Sequence, residues 1–331
     1  MRTRATKTKR EGFVIIVVLC MVVTLSILLL IFNEESRANL SAVEDFRKSA
    51  QALNYARAGL NVAIAAAAAS PDADVDMSQP NLTSGESTIS IDRGECRIKV
   101  TQESSKLNVN LLKDAGGKLD RTKIDHLLRL IDTLNRDAAA ESNIDYSIVP
   151  AIIDWIDTDD EVTSLPFVKH KNMGAESSYY RRSSPPYKCR NAPIETIEEL
   201  LQVKGMSPEV LDRLRDCLTV YGDGKININS VSKLMLESLS EEMDATLARI
   251  IIERRRLKPF ESVDELLELP GMTDSLYLSI SKTLTVDPKG EYYKVTARGG
   301  VDRIVRTVSA IIRTNEKTRN VEVVLYKEPN G

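Results

Sequence analysis

The chain has 331 residues, 42% of them apolar and 28% charged, with a net charge of −3 and four cysteines. That length supports one large domain or two small ones, and the mildly acidic balance speaks against a nucleic-acid binder held by phosphate charge. The two histidines, His126 and His170, lie far apart in sequence, so a paired-histidine metal or catalytic motif is absent.

Five basic residues, Arg2, Arg4, Lys7, Lys9 and Arg10, precede Gly12, and Phe13 to Phe32 is a run of 20 residues without a charge. As a helix this run is roughly 30 Å long, the thickness of a bilayer core. The basic flank puts the N-terminus in the cytoplasm and everything after residue 33 across the membrane. The run reads as a plain anchor or as a prepilin-type leader cut after Gly12. It is too long for an ordinary secretory signal, whose apolar core spans about 7–15 residues. Removing residues 1–12 leaves a charge of −7.

No proline interrupts residues 33–70, and Leu40, Val43, Phe46, Ala50, Leu53, Leu60 and Ile64 recur at helical spacing. Five alanines, Ala65 to Ala69, and then Pro71 close the helix. The outer half of one long helix, 13–71, therefore carries an apolar stripe that needs a cover. Residues 72–105 supply two strands around Arg93-Gly94. Residues 289–331 supply three more, at 292–298, 303–313 and 320–326, with a turn expected at Gly299-Gly300. The fold class is α+β: a pilin-like long N-terminal helix on a small antiparallel sheet. Between the strand groups lies a large, mostly helical insert, 106–288.

The insert repeats itself. Residues 193–207 (PIETIEELLQVKGMS) and 259–273 (PFESVDELLELPGMT) align without gaps at an offset of 66, and Lys106-LNVN pairs with Lys225-ININ. The turns at Gly205 and Gly271 resemble helix-hairpin-helix turns, which in DNA-binding proteins offer backbone N–H groups to phosphate. Here Glu198, Glu199, Asp264, Glu265 and Glu268 flank them, and Ser207 and Thr273 read as helix N-caps. Two packed hairpins are expected, with Arg254-Arg255-Arg256 as a solvated helix end and no nucleic acid as partner.

Residues 154–161 (DWIDTDDE) place five carboxylates in eight residues. Such a cluster either repels itself in water at a helix end or is relieved by a hard cation such as Ca²⁺. No nucleophile, histidine or phosphate loop accompanies it, so no enzyme is expected. Cys96, Cys189 and Cys217 would be exported, an odd number, and Cys189–Cys217 is the favoured disulfide.

Several short stretches together, in order and spacing, resemble the general secretion pathway protein K family, the minor pseudopilins of type II secretion. They are Arg10-EGFV, 53–60 (LNYARAGL), 154–159 (DWIDTD), 174–180 (GAESSYY), Pro185-PY, 191–200 (NAPIETIEEL) and 226–230 (ININS). The resemblance covers nearly the whole chain and implies a subunit of the bacterial inner membrane and periplasm. Prepilin peptidase would cut between Gly12 and Phe13 and methylate the Phe13 amine. The subunit would cap the pseudopilus tip with I- and J-type minor pseudopilins above the major pseudopilin. Most pilins carry glutamate at the fifth mature position; here it is Val17, as is usual for the K family. Calcium is implied at Asp157, Asp159 and Glu176, with Asp160 and Glu161 as further candidates. A minor pilin of a type IV pilus and a membrane-anchored DNA-uptake receptor are the alternatives.

Overall fold

The computed structural model describes residues 8–68, 86–91, 94–114, 116–136, 142–168, 172–286, 291–315 and 320–328. His170, Arg93, Pro71 and most of the leader lie outside these residues. Helix α1, Thr8–Ala68, runs unbroken for 61 residues. It carries no proline, and its second half is rich in alanine, the strongest helix former.

The sheet is antiparallel, in the order β1-β2-β7-β8-β9. Strands β1 (Glu86–Ile91) and β2 (Gly94–Gln102) form one hairpin; β7 (Glu291–Val301), β8 (Ile304–Asn315) and β9 (Asn320–Lys327) form a meander. The β8–β9 ladder carries a register shift between Ile311 and Ile312.

The expected Gly299-Gly300 turn is not a turn. Both glycines lie inside β7, and the chain reverses at Asp302, whose φ is 52°. Gly299 serves the helix instead: a Cβ on it would meet the Ala52 carbonyl oxygen at 1.9 Å. The helix answers with small residues of its own. Ala52, Ala56, Gly59 and Ala63 are buried against the sheet, and a Cβ on Gly59 would strike Cys96 Sγ at 2.2 Å. The large apolar residues of the expected stripe do not all find this cover. Leu60 is buried, but Leu40, Val43 and Phe46 stay exposed, because the sheet begins only near Lys48, which pairs with Asp302 at 3.0 Å.

Strand β2 runs beside α1 in the same direction, with Gly94 against Tyr55 and Cys96 against Gly59. Its end at Gln102 therefore lies furthest from the membrane-spanning half, and the insert hangs from that end. The insert contains α2 (Arg121–Arg136), α3 (Ile148–Ile156), α4 (Ser177–Tyr180), α5 (Pro208–Leu214), α6 (Lys233–Glu237), α7 (Ala245–Leu257) and α8 (Asp274–Ile280) around one continuous core.

Its duplication is visible in the pairing. Strand β3 (Leu107–Asn108) pairs in parallel with β4 (Leu218–Thr219), and β5 (Ile226–Asn227) with β6 (Leu284–Thr285). Asn110 clamps the start of the first hairpin: its Nδ2 donates to Ile194 O at 2.9 Å and its Oδ1 accepts from Ile194 N at 2.8 Å. Asn229 does the same to Phe260, at 2.9 and 2.8 Å. Ser207 and Thr273 cap α5 and α8 as expected, and Gly205 and Gly271 turn at φ of 83° and 92°, a region that L side chains avoid. Arg255 is not a solvated helix end: it donates to Ile228 O at 2.8 Å, and burial lowers its pKa to about 10.

Candidate metal centre

Helix α3 is apolar on every side and buried along its whole length, yet it carries Asp154 in its last turn. Asp157 follows three residues later as the C-cap, so the two carboxylates share a helix face. The chain then leaves through residues 158–163 and returns. The loop is strapped by Leu165 N to Asn172 O at 2.9 Å and Gly174 N to Thr163 O at 3.0 Å. Gly174 lets the returning strand lie directly on Asp154, since a Cβ there would meet Asp154 Oδ2 at 2.1 Å. Lys204 Nζ, from the first hairpin turn, donates to Met173 O and Gly174 O at 3.2 and 3.1 Å and pins the strand in place. Glu176 arrives two residues later, at the N-cap of α4.

Asp154, Asp157 and Glu176 are all buried, and each offers a carboxylate oxygen within 4.8 Å of the others. Asp154 Oδ1 accepts from Thr163 N at 2.8 Å, and Asp157 Oδ2 accepts from Lys113 Nζ at 2.6 Å. Asp154 Oδ2, Asp157 Oδ1 and both oxygens of Glu176 have no hydrogen-bond partner. Burial pushes the Asp154 and Asp157 carboxyls up, the latter in spite of Lys113. Glu176 rises to about 8, first through burial and then through the charges of Asp154, Asp157 and Asp160. Orphaned, converging, buried oxygens fit a hard cation, which prefers oxygen ligands and supplies the missing positive charge.

Of the residues expected from the sequence, Asp157 and Glu176 meet in this cluster. Asp160 stands beside it, accepting from Ser177 N at 3.3 Å, and hydrogen bonding to the Ser177 side chain first and its backbone N–H second holds its carboxyl below the usual range. Asp159 points elsewhere, accepting from Glu161 N at 2.9 Å and lying 3.4 Å from Lys113 Nζ. Glu161 is exposed and outside the cluster. The residue missed was Asp154, and its i, i+3 spacing from Asp157 on an apolar helix was the available signal.

The favoured Cys189–Cys217 bond is not formed; all three cysteines beyond the membrane run are buried free thiols. Cys189 Sγ donates to Asp154 O at 3.3 Å, while Cys217 sits beside β3, where Leu107 N donates to its carbonyl at 2.9 Å. Each is held by a different neighbour, and burial pushes both thiols up to about 12.

Three of the acids around the glycine turns are also spoken for. Glu198 pairs with Arg215 and Lys327, Glu199 accepts from Trp155 Nε1 at 3.0 Å and from Arg190, and Glu265 closes a capping box and pairs with Arg254.

Two family models for protein K of the type II secretion system match residues 105–223 and 226–287, together more than half of the chain. The chain belongs to the type II secretion system protein K family. The junction between the two matched regions falls between the two repeat units, just before β5. Among curated members, the Aeromonas hydrophila protein K is 23% identical over 256 residues, 73% of this chain and 72% of its own length. The Klebsiella pneumoniae protein K is 22% identical over 188 residues, 55% of each chain. A chain in the crystal structure of the GspK-GspI-GspJ complex of enterotoxigenic Escherichia coli superposes with a TM-score of 0.64. That match has 21% identity and covers 88% of this chain and all of the other. The α+β pseudopilin fold is thus shared with the K family. Among the described residues, α1 is the one helix long and apolar enough to cross a membrane, and its apolar window is wholly unburied.

Proposed function

We propose that this K-family pseudopilin caps the periplasmic tip of a type II secretion pseudopilus, in complex with I- and J-type minor pseudopilins, and supports export of folded proteins across the outer membrane. One observation carries the reading. The helix leaves a long apolar face uncovered through Phe46, while the insert is attached at the opposite end of the sheet. The uncovered face suits packing against neighbouring helices below. The bulk above would obstruct a further subunit, since packed helices sit only about 10 Å apart. Val17 fits the same place: a carboxylate there would need a neighbour's amine to offset its cost in lipid.

In this reading Gly12-Phe13 is the prepilin peptidase site, the membrane is the inner membrane with residues 1–12 cytoplasmic, and the chain is structural rather than enzymatic. The carboxylate cluster holds Ca²⁺ through Asp154, Asp157 and Glu176, with Asp160 at its edge, and the ion fastens the 157–176 loop to the insert. The test is purification of the full chain from membranes, followed by labelling of pseudopili. I- and J-like partners should co-purify, and the label should mark one end. Label along the whole length would overturn the tip assignment.

A further inference from the structure

A second charged site lies where the insert meets the outer face of the sheet, away from α1 and from the carboxylate cluster. Here a cleft of about 520 Å³, including its open mouth, is lined by four cations and two acids: Lys106, Arg215, Lys294 and Lys327 against Glu103 and Glu198. The acids are fully committed. Glu103 accepts from Lys106 Nζ at 2.7 Å on one oxygen and from Thr219 Oγ1 at 2.5 Å on the other. Glu198 accepts from Arg215 at 2.9 Å on Oε1 and from Lys327 Nζ on Oε2. Three of the cations are thereby paired. Lys294, in the middle of β7, has no carboxylate within ion-pair distance among the described residues, although it is only partly exposed. Burial lowers its pKa, and the nearby Lys106 charge adds to that.

An ammonium held in a cleft without a counter-charge is costly, and small changes of sequence would have removed it. Apart from Thr219, Tyr221 and Ser309 the rest of the lining is apolar, with Ile197 and Leu218 from the insert and Ile311 and Leu325 from the sheet. Tyr221 closes one side, stacked on Tyr292 at 5.3 Å. Apolar walls with a few placed polar groups are the usual makeup of a small-molecule site. We propose that this cleft binds a small organic carboxylate, its charge paired with Lys294 and its apolar body against Ile197, Leu218, Ile311 and Leu325. One unpaired cation calls for one negative charge, and the walls call for hydrocarbon. Because the ligand touches both the sheet and the insert, its binding fixes the insert on the pilin frame.

The test is calorimetric titration of hexanoate into the full chain in lipid nanodiscs, with empty nanodiscs as the blank. The expected result is a single saturable site. Lys294→Met, which keeps the volume of the stem, should weaken hexanoate at least tenfold, while hexanol should not bind. In the absence of hexanoate, the Lys294→Met protein should melt no lower than the wild type, because a surplus charge has been removed. Absence of saturable hexanoate binding, equal binding by Lys294→Met, or inorganic phosphate binding as tightly as hexanoate would each overturn the assignment. A large loss of stability in ligand-free Lys294→Met would also overturn it, by showing that the lysine is structural.

Discussion

Glu176→Gln is the most informative single change, because its sign should invert with calcium. In the metal-free protein Glu176 holds its proton up to about 8, whereas the unfolded residue releases it near 4.5. The folded state therefore binds the extra proton in this window, and stability falls as pH rises through it. The slope is at most about 1.4 kcal/mol per pH unit. At pH 9, with chelator, the wild type carries the full like-charge cost of Asp154, Asp157 and Glu176. The glutamine variant does not, and its amide can donate to an orphaned oxygen of Asp154 or Asp157, so it should melt above the wild type. With calcium at one hundred times its Kd the order reverses. The wild type gains about 2.7 kcal/mol, which for a chain of this size is a rise of roughly 4 °C, while the variant gains little. Calorimetry on the chain from Glu34 onward, which retains the helix residues that face the sheet, would measure all four melting temperatures. A wild type that melts identically in calcium and chelator, or a variant that melts lower in both, would refute the reasoning.

Burial depresses His126 to about 3, with the Arg129 charge adding to it, and its Nε2 lies 2.9 Å from Ser238 Oγ. The unfolded histidine takes up a proton below about 6.5, so stability should fall with pH below that value by up to about 1.4 kcal/mol per unit; urea midpoints between pH 4 and 7 should show the slope, and His126→Gln should flatten it. Gly299→Ala drives a Cβ into the Ala52 carbonyl at 1.9 Å and should cost about 1–3 kcal/mol, read as a lower urea midpoint. Asn110→Ala strands the Ile194 N–H and C=O and should cost about 2–4 kcal/mol; Asn229→Ala should cost the same through Phe260, and a much smaller effect at either position would separate the two repeats energetically.

The strands and the long helix were legible because period and punctuation are local. What misled was glycine. Gly299-Gly300 reads as a turn from sequence, yet Gly299 serves a contact with Ala52 and Ala56, some 240 residues earlier, which no local pattern encodes. The apolar stripe misled for a related reason. Leu40, Val43 and Phe46 have helical spacing, but the spacing does not say whether the cover comes from this chain or from another. The alanines and glycine that do meet the sheet look unremarkable in a sequence scored by hydrophobicity, because close approach selects for small side chains rather than greasy ones. The duplication, by contrast, was visible in the sequence, and the structure adds what the paired asparagines do.

The carboxylate site shows where spacing stops and packing takes over. Five acids in eight residues announce a candidate cation loop, but they do not rank themselves. Asp159, Asp160 and Glu161 are the most conspicuous as a run, and they stand outside the buried cluster because a run of three on an extended loop cannot aim three side chains at one point. Asp154 and Asp157 can, since a helical turn brings i and i+3 together. The third member comes from 19 residues beyond Asp157, carried back by a strap whose approach depends on Gly174 having no side chain. A buried trio of acids with four unsatisfied oxygens is a local conflict that a folded chain does not keep without a return. Lys113 offsets one charge and a proton on Glu176 offsets another, but neither fills the orphaned lone pairs on Asp154 and Asp157. A divalent cation would do both, and it would make the loop that carries Glu176 a fixed part of the insert rather than an appendage to it.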